Sequence, residues 1–448
     1  MLFFNLMILL MDLQQDKIYR YIQQGYKISI DSRSIDNNTI FFALKGEVFD
    51  GNEFASEALD KGAALAIVDK EGLTKRDSLI KVKNVLNTLQ SLATFHRSEI
   101  KIPVIGITGS NGKTTTKELI SNVLSAKYNT LFTPGNYNNH IGLPLTILSI
   151  QNKHDIAIIE MGANHVGEIG QLCNIAQPTC GLITNIGKAH IEGFGSFENI
   201  IKAKGELYKY LIRNNGLIFV NKDNKILTDQ LKGYNQLYTY GSKADFDCSG
   251  SIISSQPYLE LEIDIPEIKG SEKERRISTN LVGAYNFENV LAAVAIGRYF
   301  GVPDKDIKKS IEKYKPVNRR SQFTQTAKNK VIWDAYNANP TSMTLALENF
   351  SSNPEKPKVV ILGDMLELGD FAKKEHLAII DLIRNMKLNT VILIGDEFSA
   401  CSVNENNFFV FRKTEEAADW FKENEIKDST ILVKGSRGIQ LEKLEKFL

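Results

Sequence analysis

The densest chemistry in this 448-residue chain is the run GITGSNGKTTT, Gly106 to Thr116. It lies between an apolar strand-like run, PVIGIT, and a helical stretch, KELISNVLSAKY. Gly109 and Gly112, with Ser110 and Asn111 between them, let backbone N–H groups turn inward onto phosphate oxygens. Lys113 can reach β/γ-phosphates, and Thr114 can bring a hydroxyl to Mg²⁺. The general phosphate-loop pattern asks for glycine where Ile107 stands. A turn that merely caps a helix would account for the glycines. It would not account for strand, Lys, Thr and helix in that order.

Such a loop works with an acid on a neighbouring strand. Glu160 closes the apolar run IAII, which places it at the C-terminal edge of a buried parallel strand, where ligands bind in such sheets. His190 follows GLITNIGKA and falls at another strand's C-terminal edge. A lone histidine there is either structural or a metal ligand, and spacing leaves both open. Lys204, in IIKAKGELY, reads by itself as a solvated helix charge.

These residues need a sheet to hold them. From Ile102 onward apolar strands alternate with helical stretches, the pattern of a parallel sheet covered on both faces. A more β-rich stretch follows from about Gln236 to Ser278, then a helix, NFENVLAAVAIGRYFG. After Pro316 a third alternating unit has strand-like runs KVIWDAYNA, KVVILGDM, TVILIGDEF and STILVKGSRG. The first hundred residues form a smaller mixed unit. The expectation is an α/β chain of three domains. Residues 1–98 form a small mixed α/β module, 99–315 a central P-loop parallel-sheet ATPase domain, and 316–448 a C-terminal Rossmann-like α/β domain.

Lys plus Arg is 54 and Asp plus Glu 53, a formal net charge of +1. No excess positive charge is available to neutralise nucleic-acid phosphates. Hydrophobic residues at 43% exclude wholesale disorder. The four cysteines form no CxxC pair, which suggests a reducing, cytoplasmic compartment. The opening run MLFFNLMILL is about half the roughly 20 residues that span a bilayer. It lacks the charged start of a signal peptide, so no membrane insertion is expected. A start at Met11 or a short added element would explain it.

Together the motifs resemble the Mur ligases, ATP-dependent amide-bond-forming enzymes of bacterial peptidoglycan synthesis. The resemblance rests on TGSNGKTTT, the Glu160 strand, NIGKAHIEGFGS, AKGEL and GAYNFENVLAAVA, and it runs from about Ile28 to the C-terminus. Within the family, IDSRSIDNNTIFFALKGEVFDGNEF, GNYNNHIGLPLTIL, DAYNANPTSM and LGDMLELG resemble the member that joins D-alanyl-D-alanine to UDP-N-acetylmuramoyl-tripeptide. The Asp-Asn-Pro-Arg motif usual in the diamino-acid-adding member is absent. The alternatives are that member or a folate- or cyanophycin-type ligase of the same superfamily.

The resemblance implies ATP and Mg²⁺ as cofactors, a role in cell-wall synthesis, cell shape and division, and a monomer. It implies that Gly109 to Thr115 hold ATP phosphates, with Thr115 beside Lys113 and Thr114. Mg²⁺ falls to Thr114, Glu160, His190 and Lys204, the last matching a lysine that can be carbamylated. Lys113, Glu160, His190, Lys204 and Arg320 form the catalytic set, with Arg319 beside Arg320 as the other possible register. Asn286 and Asn289 match paired asparagines near adenine, and Asp334 an acid near the ribose. Ser32, Arg33, Asn136, Asn337 and Asn339 fall to the other substrates.

Overall fold

The computed structural model describes residues 13–73, 76–264, 275–316, 319–355 and 357–448. The apolar opening run and Met11 lie outside them. The chain divides into two compact units. One comprises Met1–Gly106, Leu131–Met161 and Gly170–Thr179, and the other Ile107–Thr130, Gly162–Ile169 and Cys180–Leu448.

In the first unit, β1 (Lys27–Ser29), β2 (Thr39–Phe42), β3 (Leu65–Val68) and β4 (Leu79–Lys81) make a parallel sheet in that order. Every residue of β2 and β3 is buried, so their apolar runs are continuous rather than alternating, as parallel strands require. The Ala55–Asp60 helix packs its alanines on Phe41, Ala66 and Val68. The helix Val85–Glu99 starts where the Asn84 side chain accepts from Asn87 N. Further along are β5 (Val104–Thr108), β6 (Thr130–Phe132) and β7 (Ile156–Glu160), side by side in the order β5-β7-β6.

The division between the units falls within β5. In the second unit it leads to β8 (Cys180–Ile183), β9 (Leu217–Asn221), β10 (Leu237–Gly241), β11 (Cys248–Ser254), β12 (Glu260–Ile263) and β13 (Arg276–Ser278), again in chain order. Strands β8 to β11 are parallel, whereas β12 and β13 return antiparallel. The helix after β5, Lys113–Leu124, packs against Phe287–Tyr299. Phe287–Tyr299 buries an unbroken run from Asn289 to Gly297, which is why its sequence is apolar on every side.

The last sheet holds β14 (Gln322–Gln325), β15 (Lys330–Asp334), β16 (Lys358–Gly363), β17 (Thr390–Ile394), β18 (Phe408–Phe411) and β19 (Thr430–Lys434). Their order is β14-β15-β19-β16-β17-β18, all parallel except the edge strand β14. Period-two alternation sorts side chains to opposite faces. Ile332, Val360, Leu362 and Leu432 face a core with Met343, Phe350 and Ile380. Val331, Val359, Ile361 and Ile431 face another with Phe421 and Leu444. This is the doubly wound arrangement expected from the sequence.

Candidate active site

Gly112 begins the Lys113–Leu124 helix in a left-handed conformation, φ 78°, and no described side chain caps that end. A Cβ at Gly112 would sit 2.5 Å from Asn289 Oδ1, and one at Gly109 would sit 2.0 Å from Thr184 Oγ1. Both glycines are required by close approach as well as by φ. The loop is tied to the turn after β8. Ser110 N donates to Asn185 O at 3.0 Å, and Ser110 Oγ exchanges hydrogen bonds with Gly187 O and N, both at 2.9 Å. Asn111 N donates to Asn185 Oδ1 at 3.0 Å, and Thr184 Oγ1 donates to Asn111 O at 2.6 Å. The helix N-terminus therefore presents its amides from a pinned loop, the geometry that binds an anion. Lys113 Nζ rests on Gly109 O at 2.7 Å and Ser110 O at 3.2 Å, within the loop that a phosphate would enter.

Asn286 and Asn289 are buried and make a chain of side-chain bonds. Thr116 Oγ1 donates to Asn289 Oδ1 at 3.0 Å, Asn289 Nδ2 to Asn286 Oδ1 at 3.0 Å, and Asn286 Nδ2 to Val282 O at 2.8 Å. They brace the phosphate loop.

Glu160 ends β7 with 1% exposure. Its N donates to Thr133 Oγ1 at 2.9 Å, and its Oε1 accepts from Asn138 Nδ2 at 2.8 Å. Asn138, rather than the exposed Asn136, meets this carboxylate. Asn138 was not singled out in the sequence, although the doubled asparagine of GNYNNH lies beside Asn136.

Lys204 is the sharpest correction to a reading from residue type alone. It is 1% exposed, with Nζ 3.2 Å from Ala163 O and over the Phe194 ring at 5.2 Å. Burial first, and then the Lys113 charge, hold its ammonium down to about 7. His190 has φ 54° and precedes the short helix Ile191–Phe194, with Nδ1 against the Glu367 carboxylate. That contact holds the Glu367 carboxyl below the usual glutamate range. Nearby, Lys188 Nζ meets Glu375 at 2.7 Å, and Lys188 N donates to Thr341 Oγ1 at 3.0 Å.

Arg320 lies over the Tyr336 ring at 3.7 Å, and its buried Nε has no hydrogen-bond partner among the described residues. Arg319 is instead ion-paired with Glu445 and lies against Trp333. Asp334 accepts from Ser321 N at 3.2 Å and pairs with buried Lys434. Asn339 caps the helix Pro340–Ser352 in a capping box with Ser342, and its Nδ2 donates to Asn111 Oδ1 at 2.7 Å. Its amide thus links that helix to the phosphate loop. Asn337 is exposed, its Oδ1 accepting from Ala338 N. In the N-terminal sheet, Arg33 is exposed and forked onto Asp31 at 2.8–2.9 Å, and Ser32 O accepts from Lys61 Nζ. The Arg33 hydrogen bonds lower the Asp31 carboxyl to about 2.

A phosphate loop in a parallel sheet, joined by polar side chains to a doubly wound sheet, is the architecture of a nucleotide-binding α/β protein. Three family models match in succession: Mur ligase family, catalytic domain, over residues 26–103; Mur ligase middle domain over 107–297; and Mur ligase, glutamate ligase domain, over 319–437. The chain belongs to the Mur ligase family. It is 34% identical to the UDP-N-acetylmuramoyl-tripeptide--D-alanyl-D-alanine ligase of Bacillus subtilis over 94% of this chain and 92% of that one. It is 32% identical to the ligase of the same name from Escherichia coli, over 94% and 93%. Among solved structures it is similar to MurF from Acinetobacter baumannii, with TM-score 0.84, 29% identity and coverage of 96% and 97%. MurF ligase from Thermotoga maritima in complex with ADP aligns with TM-score 0.81 at 26% identity, over 95% and 97%.

Proposed function

We propose that this chain joins D-alanyl-D-alanine to UDP-N-acetylmuramoyl-tripeptide with hydrolysis of ATP, giving the pentapeptide precursor of peptidoglycan, ADP and phosphate. The observation that carries it is the near full-length match to curated ligases of that name, with the phosphate loop intact.

Amide formation from a carboxylate is uphill because the carboxylate is a poor electrophile. Transfer of the γ-phosphoryl to the tripeptide's terminal carboxylate makes an acyl phosphate. The dipeptide amine then attacks the carbonyl carbon and expels phosphate. No protein nucleophile is needed, so catalysis rests on positioning and charge stabilisation. Two anions must approach each other. Lys113, the uncapped helix N-terminus and Arg320 offset their repulsion, each such contact worth about 10²–10³ in rate. The stack of Arg320 on Tyr336 limits the guanidinium to a plane, which suits it to a phosphate edge.

Among the described residues no group of three or more His, Cys, Asp or Glu could hold a metal ion. Thr114, Glu160 and His190 nevertheless offer hard or borderline donors, and a carbamate on Lys204 would add another hard oxygen. The lowered lysine suits that modification, since a neutral amine is the form that takes up CO₂. Mg²⁺ held beside the phosphate loop would neutralise phosphate charge. Ser32 and Arg33 hold the UDP-sugar. The three functional domains are residues 1–98, 99–315 and 316–448. No helix among the described residues is long and apolar enough to cross a membrane. The enzyme acts in the cytoplasm as a monomer.

The test is phosphate release with each substrate withheld in turn. Release is expected only when ATP, UDP-tripeptide and D-alanyl-D-alanine are all present. Release without the dipeptide, or none with the full set, would overturn the assignment.

A further inference from the structure

Two guanidinium groups meet on one aromatic ring at the edge of the C-terminal sheet. Arg320 lies 3.7 Å from the centroid of Tyr336, and Arg437 lies 5.6 Å from it. The two cations are therefore closer than about 10 Å, one Debye length at 0.1 M salt, and they repel each other. Neither has a carboxylate partner among the described residues. The Arg437 side chain is exposed, but the loop under it is fixed. Ser436 N donates to Asp364 O at 3.1 Å, Leu366 N donates to Ser436 Oγ at 3.0 Å, and a Cβ at Gly435 would lie 2.9 Å from Gly363 Cα. Exposed Leu366 lies beside the arginine, since a Cβ at Gly438 would meet its Cδ1 at 2.9 Å. The topology opens the sheet at this place. β15 and β19 are parallel neighbours, and the chain leaves them toward opposite faces. The helix Pro340–Ser352 after β15 joins the core of Met343 and Phe350, whereas Leu441–Phe447 after β19 joins that of Phe421 and Leu444. Ligands of open α/β sheets bind in the crevice where adjacent strands part in this way. Tyr336 stands just past β15 and Arg437 just past β19.

We propose that Arg437 binds the C-terminal carboxylate of the incoming dipeptide and sets the preference for a free acid at that end. The inference rests on the ligase reading made above. Two unneutralised cations on one ring call for an anion. In that reading Arg320 serves the ATP phosphates and Arg33 the UDP-sugar, so the dipeptide carboxylate is the substrate anion still without a cation. The planar fork of an arginine matches a carboxylate with two parallel hydrogen bonds. The Leu366 side chain beside it offers an apolar wall for a methyl group, which suits a terminal alanine and not a phosphate. An extended dipeptide spans about 7 Å. With its carboxylate on Arg437, its amine therefore reaches toward a phosphoryl group held by Arg320.

The experiment measures steady-state phosphate release by the full chain with D-alanyl-D-alanine or D-alanyl-D-alaninamide as acceptor. The amide keeps the amine and both methyl groups and lacks the negative charge. Arg437→Met keeps the apolar stem and drops the fork. It is expected to raise KM for the dipeptide about 10–100-fold and to leave KM for ATP unchanged. The parent should prefer the acid to the amide in kcat/KM, and Arg437→Met should lose that preference. Arg437→Lys, which keeps the charge without the fork, should fall between them. A parental KM for the dipeptide in Arg437→Met would overturn the proposal, as would an acid preference that survives in it. Equal losses for acid and amide would mark a structural effect and overturn it as well. A rise in KM for ATP alone would give Arg437 to phosphate and have the same consequence. No release by the parent with all substrates present would instead reject the ligase reading, and the proposal with it.

Discussion

Burial and the neighbouring Lys113 hold Lys204 at about 7, against 10.5 for an ordinary lysine. Between those values the unfolded chain binds the proton and the folded chain does not. Stability therefore rises with pH across that window, by about 1.4 kcal/mol per unit. The full penalty is present below about 7 and is gone above 10.5. Lys204→Met keeps the apolar stem and drops the charge. It is expected to melt above the parent at neutral pH, with the gap closing as pH rises, when both are measured in CO₂-free buffer. A gap independent of pH would contradict this. Lys113→Ala should abolish acyl-phosphate formation, while UDP-tripeptide still binds in calorimetry. Loss of that binding would reject the division of roles. Lys113 was legible because its chemistry is written in a contiguous motif. Asn138 and Arg437 were not, because each meets a residue distant in sequence, through a contact that only the fold creates.

The phosphate loop depends on elements that have no phosphate chemistry of their own. Asn289, from the first turn of a buried helix, fills the space in which a Gly112 side chain would lie. Gly112→Ala must therefore displace that amide and also hold a left-handed alanine. A cost of about 1–3 kcal/mol is expected for the backbone alone. ADP affinity by calorimetry should fall at least tenfold, and parental affinity would show that the loop has slack. At this scale the continuous apolar runs that became β5, β7, β16, β17 and β19 were legible, since each is buried on both faces. The edge strands β14 and β18 were not, being four residues long with no buried position. The helix Asp304–Lys313 was also missed. It buries only Ile307 and Ile311, too few apolar positions to announce a period.

At the scale of the whole molecule, a net charge of +1 serves anionic substrates because the cations that matter are local. The ties between the C-terminal sheet and the phosphate-loop region include Asn111–Asn339 and Lys188–Glu375. Partly exposed pairs of this kind exchange readily with water. Nucleotide and UDP-tripeptide together are expected to change the X-ray scattering profile as the C-terminal domain swings, and identical profiles would count against hinged closure. The alternation of strands and helices made three domains legible, but not which side chains join them, because polar ties carry no periodicity. The cysteines add a last consequence. All four are buried: Cys173 in a helix, Cys180 and Cys248 at the starts of β8 and β11, and Cys401 after a short C-terminal helix. Burial raises the Cys248 thiol to about 12 and moves Cys401 upward, so neither is a ready thiolate at neutral pH. The native enzyme should therefore tolerate thiol reagents. Under denaturant, alkylation of each cysteine becomes a clock for the opening of its own region, four internal timers needing no engineered label.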